Sequence, residues 1–242
     1  MTTGSGIDSV GGIELKVGAT ATGNGGDVLL SAGESSAGVG GGISVNAGAS
    51  GTLTGGAITI QSGSGQAASG SIDLSTGDSA GTGGAASLST GASLNGESGS
   101  IRLVSGESTT KQSGNILLVA GNGDANNGGD VTLKGAASTS STGGSVRLVS
   151  GKSETGLGGS IEISTSIGGQ SGGVSLTTGS ATSGDSGEIR IATETGQSSG
   201  TIDIVAGHSN TQNAGNVVIQ AGSSDVTKGG DVSITSGAST LG

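Results

Sequence analysis

The chain of 242 residues contains no Cys, no Pro and no Phe, Tyr or Trp. Without Cys there is neither a disulfide framework nor a thiolate metal site, and the redox compartment is left open. Basic residues are scarce: 8 Lys and Arg stand against 18 Asp and Glu, a formal net charge of −10. That balance disfavours a phosphate-backbone ligand, so no nucleic-acid partner is expected. Long hydrophobic runs are missing too; none approaches the roughly 18 residues that a membrane span requires. No signal-peptide pattern follows Met1. Large aliphatic residues are few, with 48 Leu, Ile and Val against 56 Gly. This composition borders on that of disordered chains, and only a strict repeat can make such a chain fold.

A repeat is present from end to end. Aligned on G-x-I-x-L, sixteen copies place a first apolar position at Ile13, Val28, Ile43, Ile58, Ile72, Ala86, Ile101, Ile116, Val131, Val146, Ile161, Val174, Ile189, Ile202, Val217 and Val232. The interval from Ile13 to Val28 is the usual one; two intervals, ending at Ile72 and Ala86, are one position shorter, and two, ending at Val174 and Ile202, are two positions shorter. The second apolar position, from Leu15, Leu30 and Val45 to Ile219 and Ile234, has no polar exception. Together the two columns hold 31 of the 48 Leu, Ile and Val residues. Period-2 alternation of this kind marks a short β-strand with one apolar face.

Gly stands two residues before the first column in all sixteen copies, from Gly11 and Gly26 to Gly230. A position that accepts only Gly needs either φ > 0 or an approach too close for a Cβ, and it reads as a corner. Two residues after the second column the side chain is nearly always small (Ala32, Ala47, Ser62, Thr76, Ser105), and the next residue is Gly in thirteen copies. This reads as the opposite corner. The remaining half of each repeat carries Ser or Thr two residues past that corner in eleven copies, followed by small polar residues.

One circuit of this repeat is at most about 50 Å of extended chain, enough for a single coil with a short strand on each long side. The predicted fold is therefore all-β: a narrow single-chain β-solenoid, or parallel β-helix, of about sixteen coils, with internal Ile/Val and Leu/Ile ladders. At a coil spacing of roughly 4.8 Å the rod is on the order of 75 Å long. Absent aromatics fit so thin an interior. Stacking predicts that Arg147 neighbours Glu162 and that Arg190 neighbours Asp203. One domain is expected over 1–242, with repeats from about 11 to 237, forming a piece of a longer array or a body whose open ends meet other subunits.

Candidates for chemistry are few. His208 is the only histidine and follows the corner Gly207, where an outward residue belongs. A single imidazole without a partner builds neither a triad nor a metal site. Asp27, Asp130 and Asp231 share one repeat position but lie about seven coils apart. Asp124 and Asp130 flank a Gly/Asn-rich turn similar to calcium loops, yet the calcium-binding β-roll has a much shorter, nine-position repeat. Fortuitous G-x-G-x-x-G matches lack the βαβ unit that gives such a motif meaning. No catalytic, cofactor-binding or metal residue is assigned, no cofactor is expected, and the chain reads as a non-enzyme.

The surface offers one feature. Val104, Leu117, Val119 and Val149 fall on the outward strand face of neighbouring repeats, with Val205 and Val218 farther along. An apolar stripe on a polar body predicts lateral or end-to-end self-association. In period and Thr/Ser/Gly content the chain is similar to small β-solenoid antifreeze proteins, which implies ice as an alternative ligand of a Ser/Thr-rich face, or polysaccharide bound adhesively there. The outward strand column does not supply the regular Thr array of those proteins, since it mixes Glu14, Leu29, Asp73, Arg102 and Ser175. The tandem G-x-I-x-L-x-S-G-x-S units also resemble the Gly/Ser-rich arrays of large surface or secreted proteins of algae, related microbial eukaryotes and their viruses. That resemblance covers nearly the whole chain and implies an extracellular structural or adhesive role. Three functions follow as expectations: a rigid spacer or fibre segment, an ice-binding or carbohydrate-adhesive module, and an intertwined homotrimeric fibre whose apolar columns face a shared axis. No N-x-S/T sequon is present, so any sugar would be O-linked.

Overall fold

A computed structural model of the chain describes residues 10–123 and 127–238. It divides into two units, Met1–Leu117 and Leu118–Gly242. The division falls inside one apolar segment, and both units are built from the same repeat.

Each repeat consists of an extended apolar segment and a loop, and in eight repeats a backbone hydrogen bond closes that loop. In the first unit the loop from Gly33 to Gly41 is closed where the Gly41 N–H donates to the Gly33 carbonyl at 2.9 Å. The same bond joins Gly56 to Gly48 at 2.8 Å and Gly70 to Gly63 at 2.9 Å. In the second unit it joins Gly129 to Gly121, Gly144 to Ala136, Gly159 to Gly151, Gly215 to Gly207 and Gly230 to Gly222. The chain thus leaves at one corner and returns to the same point.

Inside the loop a hydroxyl shapes the turn. Gly38 N–H donates to Ser35 Oγ at 2.9 Å, Gly96 to Ser93 at 3.1 Å and Gly156 to Ser153 at 2.9 Å. Thr20, Ser50, Ser79, Ser108, Ser138, Ser209 and Ser224 accept a main-chain N–H two or three residues on in the same way. These are Ser/Thr turns, in which the side-chain oxygen takes the place of a main-chain acceptor. They account for ten of the eleven repeats with Ser or Thr at that position; the eleventh, Ser239, lies outside the described residues. In the short repeat that ends at Ile202, Thr193 Oγ1 donates to the Gly200 carbonyl at 3.4 Å and bridges the loop.

The neck of each loop explains two of the sequence columns. A Cβ built on Gly41 would lie 3.1 Å from Gly33 N and 3.2 Å from Ala32 Cβ; on Gly144, 2.9 Å from Ala136 N; on Gly159, 3.1 Å from Gly151 N. The opposite corners Gly33, Gly48, Gly106, Gly121 and Gly151 have nothing within 4 Å of such an atom. At these necks Gly is demanded by lack of space, and the residue facing it must be small, whereas at Gly70, Gly84, Gly172, Gly187 and Gly230 the added atom would make only ordinary contacts, the nearest at 3.5–3.8 Å. Conformation is not the reason: among the described residues only Gly184, a loop residue, has positive φ, at 94°.

This architecture overturns the single-chain β-solenoid. Among the described residues there is no helix and no strand, and no ladder of backbone hydrogen bonds joins successive apolar segments. Stacked coils would set Gly41 beside Gly26, whereas it bonds to Gly33 in its own loop. The half-repeat read as a return strand is a loop that closes on itself. Nor do the ladders lie inside: no described residue is buried. Neither Arg147 with Glu162 nor Arg190 with Asp203 forms an ion pair: Arg190 meets Glu194 at 3.4 Å, and the other ion pairs among the described residues, Lys152 with Glu154 and Lys228 with Asp231, are also local. Of the four shortened repeats, disruptive in a stack, the one ending at Ile72 keeps the closing bond between Gly70 and Gly63, and the one ending at Ile202 is bridged by Thr193.

Candidate interaction surface

The residues singled out for chemistry come to little. His208 is exposed in its loop, Asp27 and Asp130 are exposed, and Asp231 pairs with Lys228 at 2.9 Å. Asp124 lies outside the described residues. Among the described residues no group of three His, Cys, Asp or Glu is placed to hold a metal ion, and no helix is long and apolar enough to cross a membrane.

What the structure does present is a graded apolar surface. Ile and Val of the first column are 46–65% exposed, and the second column is 61–88% exposed. Aliphatic residues at the loop tips, Val39, Leu53, Leu94, Leu157, Ile167 and Val226, are 85–103% exposed. The best-covered positions include the small neck residues Ser62, Ser105, Ala120, Ser150, Ala206 and Ala221, all half-buried. Cover thus falls off from the neck outward. The first column follows the neck by two residues and the second precedes it by two, so the neck gathers one residue of each column.

Leu74 and Ala86 show this pairing directly. They line an open apolar notch together with Ser87 and Leu88. The notch exists because Ala86 is the one first-column residue that is neither Ile nor Val. Ala86→Ile should fill it and raise the thermal stability by about 1 kcal/mol, from added aliphatic burial without strain. A lowered melting temperature would mean that the column has no room for a larger side chain there.

Of the outward stripe, Val104, Val119 and Val149, at 66%, 75% and 72%, are somewhat more exposed than the column residues Leu103 and Leu118, at 61% and 62%, and Leu117 is clearly more so at 82%. The two columns are themselves exposed along the described residues. Alternation alone could not reveal this, because it shows which residues share a face and not whether the chain can cover that face. Comparison with family models, with curated proteins and with solved structures gave no match.

Proposed function

We propose that this chain is a non-catalytic structural repeat protein, a spacer or fibre segment of a surface or extracellular assembly that is built by self-association. One observation carries the reading: two regular aliphatic columns run through sixteen repeats, and no described residue of the chain is buried. An apolar face repeated at this regularity and left uncovered is what an assembling chain presents, since contiguous exposed apolar surface of this extent is rare on monomers. The polar positions between the columns carry both signs of charge, as in Glu14, Arg102, Arg147 and Glu162, which suits a solvated outer face.

Nothing comparable supports the ice-binding or carbohydrate-adhesive alternative. The Ser and Thr hydroxyls on which it relies are engaged in ten loops as acceptors of main-chain N–H groups. Electron microscopy and thermal-hysteresis measurements on one preparation separate the readings. The structural role predicts slender particles of uniform width and no hysteresis. Hysteresis, or an unordered chain without regular particles, would overturn it.

A further inference from the structure

We infer that the partner covering the two aliphatic columns is this same chain, three copies of which run parallel about a common axis with both columns turned inward. The inference rests on the structural reading above and names what assembles. The chain exposes 24092 Å². A folded monomer of 22.1 kDa would expose about 9300 Å², and the unfolded chain about 32000 Å². The excess over the folded value, on the order of 15000 Å², far exceeds the roughly 800 Å² per partner on which a stable complex rests. The chain is ordered into regular repeats while its described residues form no interior, which leaves the interior to be made between molecules.

Identical copies fit this surface better than any other occupant. The columns repeat Ile or Val and then Leu, Ile or Val at nearly constant spacing. A partner must therefore offer aliphatic residues at that same spacing over the same length, which a second copy in register does by symmetry. Parallel orientation brings first column to first column, second to second, and small neck residue to small neck residue. An antiparallel partner would set first column against second and place every shortened interval opposite one of a different length.

The number follows from the backbone. The extended segments have no hydrogen-bonded neighbour among the described residues of the chain, so both of their edges await partners. Two chains facing one another cover the columns but leave outer edges open. Three is the smallest number that closes the edges into a ring. Larger rings need a wider interior, and this sequence has no aromatic residue to fill one. The closed loops lie between the segments and are free to project outward, which accommodates their differing lengths.

Light scattering or sedimentation equilibrium on the full chain tests this. The expected molar mass is three times the 22.1 kDa of one chain. Co-expression of tagged and untagged chains should give four species, with zero to three tags. Ile202→Asp, at a first-column residue 46% exposed, should abolish the trimer, and Val226→Asp, at a loop tip 92% exposed, should retain it. A mass of one, two or four chains, or persistence of the trimer in Ile202→Asp, overturns the inference. If the chain is a monomer with ordered β-type circular dichroism and uniform particles, the structural role stands and the trimer alone fails. A monomer with a coil-type spectrum sinks both.

Discussion

Gly144→Val should open the loop from Ala136 to Gly144 and destabilise the protein by about 1–3 kcal/mol, the range for forcing extra methyl groups into filled space. The neck at this loop is among the tightest in the chain. Gly144 N–H donates to the Ala136 carbonyl at 2.8 Å, and a Cβ on Gly144 would lie 2.9 Å from Ala136 N. Backbone on both sides of the contact cannot swing away as a side-chain tip could. On the facing segment a Cβ at Gly135 would collide with the Gly144 carbonyl, which is why this repeat carries Gly-Ala where others carry Ala-Gly or Ser-Gly. Gly151→Ala makes the comparison: nothing lies within 4 Å of the added atom and φ is not positive. It should be neutral or stabilise by up to about 1 kcal/mol through the unfolded chain. Thermal melts of the two variants read the difference, and equal melting temperatures would mean that the Gly column is unconnected with the neck.

The second large effect separates a covered column from an exposed one. In the isolated chain Ile43 is 53% exposed, and a carboxylate there would remain hydrated at little cost. In an assembly that closes over the column, Ile43→Asp sets charges against one another in an apolar interior, a penalty of several kcal/mol per molecule. We expect loss of the cooperative melting transition or of soluble protein. Leu53→Asp, at a loop tip 85% exposed, should melt within about 0.5 kcal/mol of the parent. Similar melts for both variants would show that the first column stays in water.

Much of this architecture was legible in the residues. The repeat, its two columns, the mostly small residue after the second column and a demand for Gly at the first corner, steric or conformational, all follow from alternation and from which residue types recur. What misled was the other half of the repeat. A return strand and a closed loop require the same ingredients, Gly at both ends and small polar residues between, and chain length alone allows either. A finer signal was present in Thr20 with Gly23, Ser35 with Gly38, Ser93 with Gly96 and Ser153 with Gly156: a hydroxyl three residues ahead of Gly is the spacing of a Ser/Thr turn, which reverses the chain where a strand would extend it. The shortened repeats ending at Ile72, Ala86, Val174 and Ile202 pointed the same way, because a stack would be strained by them. What covers the columns was legible only as one of several expectations, the intertwined homotrimer among them. A column of Ile and Leu looks identical whether it closes on its own chain or on another.

The absence of Cys makes the central claim open to one direct measurement. With Ile101→Cys as the only thiol in the molecule, a disulfide can form only between chains. Ile101 belongs to the first column at 50% exposure, and Leu94, at a loop tip 95% exposed, is the matching control. If three copies share an axis, equivalent thiols meet there in every particle, and gentle oxidation at high dilution should link two chains and leave the third free. Non-reducing electrophoresis should then show about two thirds of the Ile101→Cys protein as covalent dimer, the limit set by pairing within a threefold ring, and almost none of Leu94→Cys. Equal, concentration-dependent linking of the two variants, or a fully monomeric Ile101→Cys protein, would contradict the account.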